Sequence, residues 1–146
     1  MGKKHAERQI VVERSPQECF DALVDFESYP SWQRAVRTCE VQSRDRDGLG
    51  RRVCFEVDAR VRLLSFTLDY SYESPHLVTW DFVEGDVRDI EGEFVLEDRG
   101  DGTTLATYAL LIDPGASMPG ELASALNDQV MKRSIEDLKA RVESGS

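Results

Sequence analysis

Histidine is almost absent from this chain, with only His5 and His76 among 146 residues. His5 stands near the start and His76 in a Ser-Pro-His turn, which argues against a Ser–His or Cys–His pair working inside a core. Cysteine is scarce as well. Cys19, Cys39 and Cys54 are odd in number and widely spaced, so they form neither a disulfide framework nor a zinc pattern. They are expected to be reduced, half-buried thiols of a cytoplasmic protein. No stretch approaches the roughly 18 consecutive apolar residues of a membrane span. The opening Met1-Gly2-Lys3-Lys4-His5 has no apolar run behind it, and Ala6 stands where myristoylation needs Ser or Thr. Neither a secretory signal nor stable membrane insertion is expected. Positive charge is also in deficit. Eighteen Lys and Arg face 28 Asp and Glu, for a net charge of −10, which disfavours nucleic acid and anionic lipid surfaces as partners. Arg44, Arg46, Arg51 and Arg52 cluster, but Asp45 and Asp47 interleave with them and make a mixed solvated surface.

Phosphate loops and hard-cation clusters are missing too. Gly48-Leu49-Gly50 and Gly100-Asp101-Gly102 have no helix with a lysine behind them and read as hairpin turns. Asp86, Asp98 and Asp101 read as turn residues. No metal or other cofactor is expected.

What is present is ordinary globular material. With 40% apolar and 32% charged residues the chain is not of disordered composition, and its length suits one domain over 1–146 with a core of about 6–143. Residues 7–14 hold the β-branched run Ile10-Val11-Val12 and predict a first strand. Ser15-Pro16-Gln17-Glu18 then carries a capping box, with proline at the first helical position. Cys19, Phe20, Leu23, Val24 and Phe26 follow at helical spacing. Tyr29-Pro30 is expected to break this helix, because a residue before proline avoids helical backbone, and Ser31 to Val36 can add one short turn. From 36 to 113 the period is two. Runs at about 36–45, 51–61, 63–73, 77–84, 88–97 and 103–112 are separated mostly by Gly- or Pro-bearing turns, which predicts an antiparallel meander. Pro119 opens a long helix to about Val142. Leu122, Leu126, Val130, Met131, Ile135, Leu138 and Val142 lie on one side, with Asp128, Lys132, Glu136 and Lys139 on the other and Asp128 spaced to pair with Lys132. The fold class is therefore α+β, in the order β-α-α-β6-α: a seven-stranded antiparallel sheet curved around one long C-terminal helix.

Alternation also assigns the faces. Val53, Phe55, Val57 and Ala59 share one side of their strand. So do Leu64, Phe66, Leu68, Tyr70 and Tyr72, then Trp80 and Phe82. Ile90, Gly92, Phe94 and Leu96, and Ala106, Tyr108, Leu110 and Ile112, continue the pattern. These sides must face the long helix, because the opposite sides carry the charges. The aromatics are open to two readings, a packed core or the wall of an apolar cavity. Polar tips on Tyr70, Tyr72, Tyr108 and Trp80, with small residues at Ala59, Gly92 and Ala106, favour some cavity.

In this order, Ser15-Pro16 with Phe20, Tyr29-Pro30-Ser31-Trp32, Val78-Thr79-Trp80 and Glu84-Gly85, Gly92-Glu93-Phe94, Asp101-Gly102-Thr103-Thr104, and Tyr108 before Asp113-Pro114-Gly115 resemble the START-like polyketide cyclase/dehydrase superfamily. The likeness is greatest to its small bacterial branch near coenzyme Q-binding relatives. The resemblance spans residues 6–143 and implies a helix-grip fold with a cavity entered near Tyr29–Trp32. The expected ligand-binding residues are then Tyr29, Trp32, Phe55, Val57, Phe66, Leu68, Tyr70, Trp80, Phe94, Tyr108, Leu126 and Val130. Arg34, Arg37 or Arg88 are candidates to meet an acidic ligand head at the entrance.

No placed acid–base pair marks a catalyst. Tyr70 and Tyr108 are weak catalytic candidates only, as hydrogen-bond donors to an enolate. The leading expectation is a carrier or sensor of an apolar small molecule: a lipid, an isoprenoid quinone or an aromatic polyketide. A polyketide cyclase or dehydratase is the second reading. A protein-interaction or translation-regulating module is the third.

Overall fold

The computed structural model describes residues 6–58, 63–113, 115 and 120–144, with the side chains of 120–126 outside that set. The expectations for His5, Ala59, Pro119, Leu122 and Leu126 therefore lie outside the described residues and side chains. Strand β1 (Ala6–Val12) leads into helix α1 (Pro16–Val24), a 3-10 turn (Phe26–Ser28) and the one-turn helix α2 (Tyr29–Trp32). Then come β2 (Val36–Arg44), β3 (Gly50–Asp58), β4 (Leu63–Glu73), β5 (Leu77–Gly85), β6 (Asp89–Asp98) and β7 (Thr104–Asp113). Helix α3 (Gly120–Glu143) follows them.

The start of α1 is built as its sequence dictates. The Ser15 hydroxyl accepts the Glu18 N–H and the Glu18 carboxylate accepts the Ser15 N–H, both at 3.3 Å. Cys19, Phe20 and Leu23 turn inward and are buried. The end differs from expectation. The helix stops at Val24, where Asp25 leaves helical backbone (φ −85°, ψ 67°), so Phe26 reaches the core from the 3-10 turn. Tyr29 has helical angles (φ −50°, ψ −45°) although Pro30 follows it. Proline is tolerated there because the first turn of α2 needs no N–H from it. The turn is closed by Gln33 N–H donating to Tyr29 O at 2.8 Å and by the Tyr29 hydroxyl donating to Leu23 O at 2.5 Å.

Strands β2 to β7 pair in chain order and β1 adds beside β7, giving a seven-stranded antiparallel sheet ordered β1-β7-β6-β5-β4-β3-β2. Register shifts in the β2–β3 pair and between Thr67 and Leu68 in β4–β5 are bulges of the kind that raise twist and bend a sheet. Gly85 (φ +148°) closes the β4–β5 irregularity against the Ser65 carbonyl, where a Cβ would lie 2.4 Å away.

Helix α3 buries Met131, Ile135, Leu138 and Val142 and packs on β1, β7 and α1, while the 3-10 turn and α2 pack on β2. Its polar side is tied to β1. Arg8 Nη2 donates to Asp128 at 2.6 Å, Lys139 Nζ donates to Val11 O at 2.7 Å, and Glu143 accepts the Glu13 N–H at 2.8 Å. The partner of Asp128 is thus Arg8 rather than Lys132, since β1 brings a guanidinium within direct reach. The architecture is the expected helix-grip fold.

One close approach shapes the middle of the sheet. Gly92 in β6 lies opposite Trp80 in β5, and the indole occupies the place of the missing side chain. A Cβ at Gly92 would sit 2.5 Å from Ala109 O and 2.7 Å from Trp80 Cζ2. Gly92→Ala is therefore expected to lower stability by about 1–3 kcal/mol through overpacking. Urea denaturation with an unchanged dependence on denaturant concentration checks this, and a neutral outcome would refute the close packing.

Candidate functional site

Between the concave face of the sheet and α3 lies a partly open cavity of about 120 Å³, measured by the centre of a water-sized sphere. One water needs only about 10–15 Å³ by that measure, so the space exceeds a solvent defect. Strand β3 supplies Phe55 and Val57, β4 supplies Leu64, Phe66, Leu68 and Tyr70, and β5 supplies Trp80. Ile90 and Phe94 come from β6, and Tyr108, Leu110 and Ile112 from β7. Leu23, Tyr29, Gln33, Ala35 and Val36 close one side, Val87 projects from the β5–β6 turn, and Val130 and Ser134 come from α3. No Lys, Arg, His, Asp or Glu belongs to the wall among the described residues.

The rings form a continuous series. Phe55 stacks on Phe66 with centroids 5.5 Å apart, Tyr70 lies 5.8 Å from Trp80, and Trp80 lies 5.8 Å from Tyr108. Phe94 stacks on Tyr108 at 4.3 Å, across a pair the sheet register sets directly opposite. The Gly92 gap lets Trp80 lean across β6 toward Tyr108 and complete the series.

Most of the residues expected from sequence therefore share this wall: Tyr29, Phe55, Val57, Phe66, Leu68, Tyr70, Trp80, Phe94, Tyr108 and Val130. Trp32 does not. It backs Tyr29 edge-on at 5.0 Å, and its Nε1 is buried with no hydrogen-bond partner among the described residues. Trp32 thus packs against the core beside Tyr29 without lining the cavity. Two of the three candidate entrance cations are also committed elsewhere, and Arg37 is exposed on β2 and is not part of the wall. Arg34 Nε donates to Asp137 at 2.9 Å with Nη2 3.6 Å from Glu136, and Arg88 lies 3.8 Å from Asp113. Asp98 and Asp101 accept backbone N–H groups within their turns, as expected, and Asp86, in the β5–β6 turn, accepts the Ser65 N–H of β4. No group of metal-ligating side chains occurs among the described residues.

Sequence reasoning missed the polar side of the wall. Gln33 is buried and its Nε2 donates to Ser134 O at 3.3 Å, while buried Asp137 also accepts the Arg34 N–H at 2.9 Å. These bonds strap the segment after α2 to α3. Ser134 stands four residues after Val130, on the same helical stripe, and that spacing was the available signal. Gln33 and Asp137 gave none, because a polar residue in a loop or on a helix flank reads as solvated.

Burial pushes the tyrosines of the site well above their ordinary range. This holds for Tyr29, Tyr70 and Tyr108, and for Tyr108 the facing Ser134 hydroxyl opposes it. Burial also raises the Cys19 thiol from 9.0 to about 11. All of these groups are neutral when protonated. The unfolded chain therefore ionises first, and stability is retained below pH 9.0 and lost as pH rises toward about 11 for Cys19. The tyrosines extend the loss above 10.0, their unperturbed value. Urea midpoints measured from neutral to alkaline pH are expected to fall in that window, and Cys19→Ala is expected to reduce the earliest part of the fall, which the half-buried Cys39 thiol, also raised from 9.0, shares. A flat profile would contradict these shifts.

Known proteins share this architecture. A START superfamily protein from Mycobacterium smegmatis superposes with a TM-score of 0.89 at 21% identity, covering 98% of this chain and 100% of its own. A Thermus thermophilus protein gives 0.83 at 18%, covering 98% and 99%. The Zhui aromatase/cyclase from Streptomyces sp. R1128 gives 0.82 at 14%, covering 96% and 93%. Identities this low establish the fold alone. No curated protein matches the chain significantly by sequence. A family profile does, over residues 3–143. The chain thus belongs to the polyketide cyclase/dehydrase and lipid transport family.

Proposed function

We propose that the chain, as one domain, holds an apolar small molecule in this cavity and acts as its carrier or sensor. A lipid, an isoprenoid quinone and an aromatic polyketide are the ligand classes it suits. The observation that carries this reading is a wall of aliphatic and aromatic side chains around about 120 Å³, with no charged member among the described residues. Such a wall binds by removing apolar surface from water, at roughly 25 cal/mol per Å² of ligand surface, before the entropic cost of association. That needs no dedicated chemistry. No helix among the described residues is long and apolar enough to cross a membrane. The free thiols Cys19, Cys39 and Cys54 suit the cytoplasm, and the acidic net charge suits neither nucleic acid nor an anionic bilayer.

The test uses N-phenyl-1-naphthylamine, an uncharged dye that brightens in apolar surroundings. Saturable binding at micromolar dissociation constant is expected. Val130→Trp, which fills the cavity from α3, should weaken it at least about 10-fold while the fold persists by circular dichroism. A wild-type protein that leaves the dye dark would refute the reading.

A cyclase or dehydratase is the second reading. It is favoured by the likeness to the Zhui aromatase/cyclase and by the Tyr70 and Tyr108 hydroxyls in the wall, which are able to stabilise a developing enolate. Mass spectrometry of a linear poly-ketone thioester incubated with the protein decides it. Cyclised product that falls about 100-fold in Tyr108→Phe supports catalysis, and an unchanged substrate rejects it.

A further inference from the structure

Four tyrosines stand on the cavity side of the sheet and α1–α2 segment, and their hydroxyls are not equivalent. The Tyr29 hydroxyl donates to Leu23 O at 2.5 Å, capping a carbonyl at the end of α1. The Tyr72 hydroxyl donates to Gly50 O at the start of β3. The Tyr108 hydroxyl faces the Ser134 hydroxyl. No hydrogen bond joins the Tyr70 hydroxyl to any described residue, and Tyr70 lacks even the Ser134 neighbour that Tyr108 has.

The ring of Tyr70 is nevertheless held firmly. Phe26 meets it edge-on at 4.7 Å, Trp80 lies at 5.8 Å and Tyr72 stacks at 6.3 Å. Tyr70 keeps some accessible surface, yet it lines the cavity and its hydroxyl is strongly desolvated, so that surface opens inward. A fixed, desolvated donor without an acceptor is uncommon in folded proteins, and a ligand oxygen would complete it. A charged oxygen would fare badly at the same place. The wall holds no cation among the described residues, Arg34 and Arg88 are paired with carboxylates, and Arg37 lies outside the wall, exposed on β2.

Taking the cavity as the ligand site, we infer that Tyr70 is its specificity-determining hydrogen-bond donor. The site selects uncharged ligands bearing an acceptor oxygen over carboxylates, while Tyr29 and Tyr72 serve the fold.

Three naphthalenes of similar size test this by displacement of N-phenyl-1-naphthylamine: 2-acetylnaphthalene, 2-ethylnaphthalene and 2-naphthoate. In Tyr70→Phe the ketone is expected to weaken about 5- to 10-fold, with the hydrocarbon unchanged within about two-fold. Tyr72→Phe should leave both affinities unchanged. Naphthoate should fail to displace the dye where the ketone saturates. Equal losses for ketone and hydrocarbon, an unaffected ketone, or naphthoate binding as tightly as the ketone would each overturn the inference. The infrared carbonyl band of the bound ketone gives a readout that needs no variant. A shift to lower wavenumber than in hexane supports the donor, and an unshifted band opposes it. If neither the dye nor the hydrocarbon binds the wild-type protein, the ligand-cavity reading itself fails, which is a separate result.

Discussion

A single helix is too narrow to cover the concave face of this sheet. Seven strands at about 4.8 Å spacing span roughly 29 Å, whereas a helix with its side chains is about 10–12 Å across. Helix α3 accordingly rests on two neighbouring strands, β1 and β7, and the 3-10 turn and α2 rest on β2 at the opposite edge. The middle strands are left facing one another across the bend. Their apolar side chains cannot be satisfied by a second layer, so they gather into a ring of aromatics with a space inside it. The cavity is thus a consequence of the width mismatch, and the bulges in β2–β3 and β4–β5 set how strongly the sheet closes over it.

The same geometry explains the electrical character of the interior. The chain carries a net charge of −10, and among the described residues the charged side chains stand outside the cavity wall. Inside, the only ionisable members of the wall among the described residues are tyrosines, kept neutral by burial. Polar groups that do enter are used for closure. Gln33 and Arg34 bond to Ser134 and Asp137 and fix the segment after α2 against α3, next to Ala35 and Val36 of the wall. A space that excludes charge and is strapped shut on one side is suited to holding a neutral molecule out of water. Membership of the polyketide cyclase/dehydrase and lipid transport family agrees with that character at the level of the superfamily and does not select a ligand.

Much of the fold is legible in the chain itself. The period-two runs from 36 to 113, the Gly- and Pro-bearing turns between them and the capping box at Ser15 specify their elements through local backbone physics, and the strands fall within a few residues of the expected bounds. Strict alternation also places Phe55, Phe66, Tyr70, Trp80, Phe94 and Tyr108 on one face. Residues whose role depends on a partner beyond their immediate neighbours are not legible in this way. Tyr29 adopts helical backbone before a proline because its hydroxyl reaches Leu23 O and Gln33 closes the turn, neither of which a dipeptide rule contains. Asp137 reads as one more helix-surface carboxylate until the α2–β2 segment brings Arg34 to it.

The sequence by itself determined the order of the elements, which face of each strand is apolar, and the scarcity of histidine. These follow from nearest-neighbour geometry and composition. Only the tertiary structure decided that the apolar faces enclose a space rather than a solid core. Only it decided that Trp32 stands behind the wall, and that Tyr70 rather than Tyr29 or Tyr72 keeps an uncommitted hydroxyl. Those outcomes depend on distances between segments up to about a hundred residues apart, as between Gln33 and Ser134, which no local pattern encodes.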